Sequence, residues 1–159
     1  THGISNRLTG GAATATCLLN NEQMGEGWSD YVALMTTTNW STATLTDGSL
    51  PRPLGTYVLD EDPSTGLGIR NYPYSTDMGV NPWTYGQLSS IEESEEHAVG
   101  EIWAATLWDM TWNMIQIDGI NTNIFNANGT GGNTDALKLV MLGMKLQPCS
   151  PGFLDGRDV

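Results

Sequence analysis

The stretch HAVGEIWAATLWDMTWNMIQIDG, from His97 to Gly119, constrains the fold more than any other part of the chain. Val99, Ile102, Trp103, Leu107, Met110, Met114 and Ile117 recur at steps that place them on one face of a helix, the strongest helical pattern in the sequence. Gly119 stops it, since glycine readily adopts the positive φ at which helices end. The Trp and Met stripe between residues 103 and 114 reads as core rather than as a cofactor box.

Such a face needs partners, and two further segments supply them. In EQMGEGWSDYVALM, Met24, Trp28, Tyr31, Val32 and Met35 predict a second amphipathic helix over residues 22–36. After the NGTGGN loop, Asn133 or Thr134 is expected to cap a third helix that runs to Gln147 and ends before Pro148. Residues 1–8 read as the end of a helix closed by Gly10 and Gly11. The chain from Thr37 to Leu88 is rich in Gly, Pro, Thr and Asp. Within it TYVLDED is expected to form a short strand, and NYPYSTDMGVNPWTY an extended loop, because a residue before proline avoids the helical region. A connection this long is usually functional or packed on a partner. CSPGFLDGRDV starts a new turn, and no internal repeat or low-complexity tract is present.

With 159 residues the chain suffices for one domain, or for one lobe of a larger enzyme. Eighteen acidic against six basic side chains leave a net charge of −12, which repels phosphates and argues against nucleic acid as a partner. No apolar run approaches the roughly 20 residues that a membrane-spanning helix needs. Cys17 and Cys149 lie far apart and form no metal-type cluster, so one disulfide or none is expected. Few lysines with abundant Asn, Thr, Trp and Gly suit a secreted protein.

The chemistry concentrates in two helix-associated motifs. THG stands at a helix end, and GEGWSD follows on a second helix; zinc peptidases use two histidines of one helix and a glutamate of a following one as ligands, leaving a position for water. Imidazole nitrogen and carboxylate oxygen are the donors zinc favours. Glu26 sits between Gly25 and Gly27, neither of which has a side chain to obstruct a close approach. Asp30, one turn beyond Glu26, is placed to accept a proton from a ligand imidazole's second nitrogen.

THGISNRLTGG, EQMGEGWSDY, GIRNYPYSTDM and EEHAVGEIWAATLWD, in this order and followed by LKLQPCSPGFLDGRD, together resemble the fungalysin family of secreted zinc metallopeptidases, relatives of thermolysin. The resemblance implies a mainly α fold with long loops, the C-terminal helical lobe of a thermolysin-like (zincin) catalytic domain. Residues 1–159 are then expected to be a partial catalytic domain truncated at both ends. In that family the zinc helix reads His-Glu-x-x-His-Gly, so Thr1 and His2 look like its last two motif positions, with a ligand His and the catalytic Glu four and three residues before His2. By the same resemblance His2 and Glu26 are ligands of Zn2+ and Asp30 is the orienting carboxylate. His97 matches a histidine that hydrogen-bonds the oxyanion of the tetrahedral intermediate, with Glu92, or alternatively Glu93, orienting its ring. Expected partners are a protein or peptide substrate outside the cell, the remainder of the catalytic domain and a propeptide.

Tyr72, Tyr74 and Tyr85 are candidates for a second oxyanion donor or for substrate contacts, since a phenol donates at neutral pH without ionising. Arg70 binds either a substrate carbonyl or a structural carboxylate. DEDPSTG offers carboxylates for Ca2+, although its spacing is not that of an EF-hand. NGTGGN lacks the Lys and Ser or Thr of a phosphate-binding loop and reads as a turn. A competing reading is an inert fragment with a binding or scaffold role, because two ligands in place of three hold zinc weakly.

Overall fold

Three apolar helix faces meet in the computed structural model, which describes residues 2–91, 95–126 and 128–159. The α-helices are α1 (His2–Leu8), α2 (Gly25–Thr37), α3 (Glu96–Asp118), α4 (Gly132–Leu146) and α5 (Phe153–Asp158). The fold is mainly α with long loops, as expected for the helical lobe of a thermolysin-like domain. Among the described residues, extended pairing is limited to two isolated bridges, Arg52 with Tyr74 and Leu54 with Gly68.

Helix α3 is the axis. Ala98, Val99, Ile102, Trp103, Ala104, Leu107, Trp108, Trp112 and Ile115 are buried, so it is covered on more than one side. Helix α2 contributes Trp28, Tyr31, Leu34 and Met35, and α4 contributes Val140 and Met144. Trp28 meets Trp103 edge-on at 5.1 Å between ring centroids, and Trp108 meets Trp112 at 5.7 Å. Each such side chain fully buried contributes about 1.5–3 kcal/mol. The buried side departs from the predicted stripe near the end of the helix: Ile117 is exposed and Ile115 is buried.

Two other local expectations are corrected. TYVLDED is not a strand; Thr56–Leu59 form a 3-10 turn, entered and left through the positive φ of Gly55 and Asp60. Asn133 and Thr134 do not cap α4 but lie buried in its first turn, where Asn133 bonds the main chain of Asn121 and Thr134 the Asn121 side chain. Gly131 occupies the cap position.

Cys17 and Cys149 form a disulfide that closes a separation of 132 residues. It fastens the segment after α1 to the segment after α4, together with Ser150 N–H donating to Cys17 O at 2.7 Å and Thr9 Oγ1 donating to Met144 O at 3.1 Å. Seven-residue α1 is too short to hold itself, so these ties set where it packs on α2. No helix among the described residues is long and apolar enough to cross a membrane.

Candidate metal-binding and catalytic site

Where α2 crosses α3, Gly27 and Gly100 face each other without side chains. A Cβ on Gly100 would lie 2.6 Å from the Cβ of Glu26 and from Gly27 N, and a Cβ on Gly27 would run into the carbonyl of Gly100. The predicted freedom around Glu26 therefore rests on Gly27; at Gly25 there is open space. This close crossing brings Glu26, on the first turn of α2, beside the N-terminal turn of α3, which carries His97.

His2 and Glu26 converge. His2 Nε2 stands 3.1 Å from Glu26 Oε1, and about half of the His2 side chain is open to solvent. His2 Nδ1 lies 3.1 Å from Ser29 Oγ, and the same hydroxyl lies 3.1 Å from the carbonyl oxygen of Gly25. A zinc ion bound by both His2 Nε2 and Glu26 Oε1 at about 2.0–2.2 Å needs donors separated by roughly the distance between these two atoms. The donor set and its separation fit zinc. Among the described residues no group of three His, Cys, Asp or Glu side chains gathers to hold a metal.

The other carboxylates are held by Arg70. Its Nε and an Nη donate to the two oxygens of Asp30 at 2.7 and 2.8 Å, and the same Nη donates to Glu26 Oε2 at 2.9 Å. Burial presses the guanidinium's pKa down, but the bonds and charge of Asp30, with Glu26, carry it above its ordinary value. Arg70 therefore binds structural carboxylates, and it reserves Oε1 of Glu26 for the His2 side. Asp30 accepts in addition from Tyr74 OH at 2.5 Å. Tyr74 is fully buried and its one proton goes to Asp30, so it is a buried brace and not a donor to substrate; burial and the Asp30 charge hold its pKa well above the usual phenol value.

His97 faces the same place. Its Nε2 is 3.9 Å from Glu26 Oε2, and its Nδ1 is 3.2 Å from Glu95 Oε1, which also accepts from the His97 main chain as the cap of α3. The carboxylate seen against the ring is Glu95; Glu92 and Glu93 lie outside the described residues. A cleft of about 790 Å³ opens beside His97, lined also by Arg70, Glu101, Trp83, Ile69 and Leu59. Tyr72 rests edge-on against Trp83, and Tyr85 packs near Phe153 on a separate cavity.

Calcium finds no support in DEDPSTG. Asp62 accepts from the main chain and hydroxyl of Ser64, and Glu61 from Gly68 N–H, so both acids are turned onto their own loop. Sequence reasoning missed Ser29, and its signal was faint: a hydroxyl one turn after Glu26 on the same helix face. It missed Glu95 among the four acids of EESEE because nothing in the spacing marks which of them caps the helix.

The sequence model of the family described as Fungalysin metallopeptidase (M36) matches residues 1–159. "Extracellular metalloproteinase 2" of Phaeosphaeria nodorum and "Extracellular metalloproteinase MEP" of Fusarium vanettenii are each 44% identical to this chain over 165 residues. "Extracellular metalloproteinase mep" of Aspergillus fumigatus is 41% identical over 165 residues. Each alignment covers 99% of this chain and 24% of the relative, so the chain spans about a quarter of the length of these proteins.

Proposed function

The chain belongs to the fungalysin metallopeptidase family, and from that premise we propose that it forms part of the catalytic domain of a secreted zinc endopeptidase acting on proteins or peptides. The observation that carries this reading is the 3.1 Å approach of His2 Nε2 to Glu26 Oε1, with His97 across the same carboxylate. The reading places a further ligand His and the catalytic Glu four and three residues before His2, and residues 1–159 with the remainder of the domain and a propeptide in one longer protein. The relatives' printed names support an extracellular location.

His2 and Glu26 would hold the ion, each through one atom. Zinc in such a site polarises a scissile carbonyl and acidifies water. Ser29, 3.1 Å from Nδ1, would orient the His2 ring with Nε2 turned to the ion. Arg70 neutralises Glu26 Oε2 and holds the carboxylate's orientation. Asp30 and Tyr74 in turn fix Arg70, so Asp30, expected to orient a ligand imidazole, would act here through Arg70. His97 rests Nδ1 against Glu95 and turns its Nε2 side toward the oxyanion of the tetrahedral intermediate, to which it would donate a bond made mainly in the transition state. Glu92 is retained as a further candidate for orienting that ring.

The test is made in the full-length protein. Removing zinc with a chelator is expected to abolish cleavage of a peptide substrate, and zinc to restore it. Glu26→Gln is expected to lose both metal and activity. A Glu26→Gln protein with wild-type zinc content and turnover would sink the reading. The inert-fragment reading applies to residues 1–159 expressed alone, which carry two donors and are expected to bind zinc weakly and to cleave nothing.

A further inference from the structure

Glu101 lies on α3 one helical turn after His97, is 2% exposed, and has no part in the chemistry above. Its Oε1 accepts from Asn71 N at 2.8 Å and from Asn71 Nδ2 at 3.2 Å; its Oε2 accepts from Trp83 Nε1 at 2.7 Å and from Asn71 Nδ2 at 3.3 Å. All these donors are neutral. Burial pushes the Glu101 carboxyl's pKa up, and the bonds from Asn71 and Trp83 and the charge of Arg70 pull against it. A carboxyl group buried where its hydrogen bonds come only from neutral donors is a poor source of stability compared with an apolar side chain of similar size. Its placement therefore calls for a role in geometry.

Asn71 follows Arg70 directly in the chain. The main-chain N–H that Glu101 holds thus belongs to the peptide unit next to the guanidinium that grips Glu26 and Asp30. A carboxylate suits this task because it presents acceptors only, and one oxygen is needed for Asn71 N–H while the other takes Trp83 N–H. We propose that Glu101 is a positioning residue that ties the Arg70 loop to the helix of His97, so that Arg70 keeps Glu26 Oε2 and leaves Oε1 aimed at His2. The chain of action runs from Glu101 through Asn71 and Arg70 to Glu26. Its metal arm stands on this geometry; its kinetic arm rests on the peptidase reading.

The experiment uses the full-length protein and reads zinc affinity by chelator competition, kcat and KM on a peptide, and the far-UV circular dichroism. Glu101→Gln swaps one acceptor for an NH2 group that faces another N–H. It is expected to stay folded, to weaken zinc binding about tenfold or more, and to lower kcat more than it raises KM. In an Arg70→Lys background the same change is expected to add less than about twofold to the zinc Kd, because both act along one path. A folded Glu101→Gln protein with wild-type zinc affinity, or an equal loss in both backgrounds, overturns the proposal. If Glu101→Gln does not fold, Trp83→Phe removes one donor while leaving the carboxylate. It is expected to weaken zinc about two- to fivefold, again with little added effect beside Arg70→Lys; wild-type affinity there overturns the proposal. A wild-type protein that binds zinc without cleaving peptides ends the peptidase reading and leaves the zinc arm to decide this one, while a wild-type protein that binds no zinc ends both.

Discussion

Gly27 and Gly100 meet backbone to backbone where α2 crosses α3, with no room for a methyl group on either. The contact sets how near the two helices come. It is also what places Glu26 of α2 and His97 of α3 within 3.9 Å of each other.

Gly27→Ala and Gly100→Ala are therefore each expected to lower stability by about 1–3 kcal/mol, since the added methyl forces the helices apart. They are also expected to weaken zinc binding, because the Glu26 carboxylate moves with its helix. Gly25→Ala is the control: open space surrounds that position, and its stability should stay within about 0.5 kcal/mol of wild type. Urea melts of the three variants check this, and equal stability of Gly25→Ala and Gly27→Ala would contradict the close crossing.

On the proposed function, His97→Ala in the full-length protein is expected to keep its zinc and to lose kcat about 10²- to 10³-fold with little change in KM. Glu95→Gln should lose less, because it acts only through the ring it touches. Zinc analysis beside steady-state kinetics separates the roles. Loss of metal would make His97 a ligand, and unchanged kcat would make it a bystander.

Cys17→Ser is expected to cost about 2–5 kcal/mol, since the disulfide closes a long loop in the unfolded chain. Thermal melts with and without reductant provide the measurement: reductant should lower the Tm of the wild type and leave that of Cys17→Ser unmoved. The loss should extend to zinc affinity, because the bridge anchors the segment that follows the helix of His2.

Tyr31 and Tyr74 predict an alkaline limit. Burial raises both phenols above their ordinary value of 10.0; the Thr111 bond offsets this slightly at Tyr31, and the Asp30 charge adds to it at Tyr74. A raised folded-state pKa gives stability that is whole below the unfolded value and is lost as pH rises beyond it. Denaturant melts should hold steady up to about pH 10 from these groups and then decline, with Tyr31→Phe showing a shallower decline. A flat profile above that pH would show that neither phenol is sealed from solvent.

The helical pattern from Val99 to Leu107, the faces of α2 and α4, and the stops at Gly10 and Gly119 were legible in the sequence because helix periodicity and glycine φ are local properties. The motif order was legible as well, and with it the candidates His2, Glu26 and His97. What the spacing could not say was which acid takes which partner. Asp30 and Glu26 look alike on one helix face, yet Arg70, 40 residues away from Asp30 in the chain, divides them by gripping all of one and half of the other. Ser29, Glu95 and Glu101 had no signal of their own, since a hydroxyl or a carboxylate acquires its role only from the atom it meets. The pairing of Cys17 with Cys149 was one of two open outcomes until the loops after α1 and α4 were seen side by side. Local composition determined which residues form helices and which residue types were present for the chemistry. Only the tertiary structure decided the bonds among them, because hydrogen bonds and ion pairs depend on distances of a few ångströms between residues that are far apart in the chain.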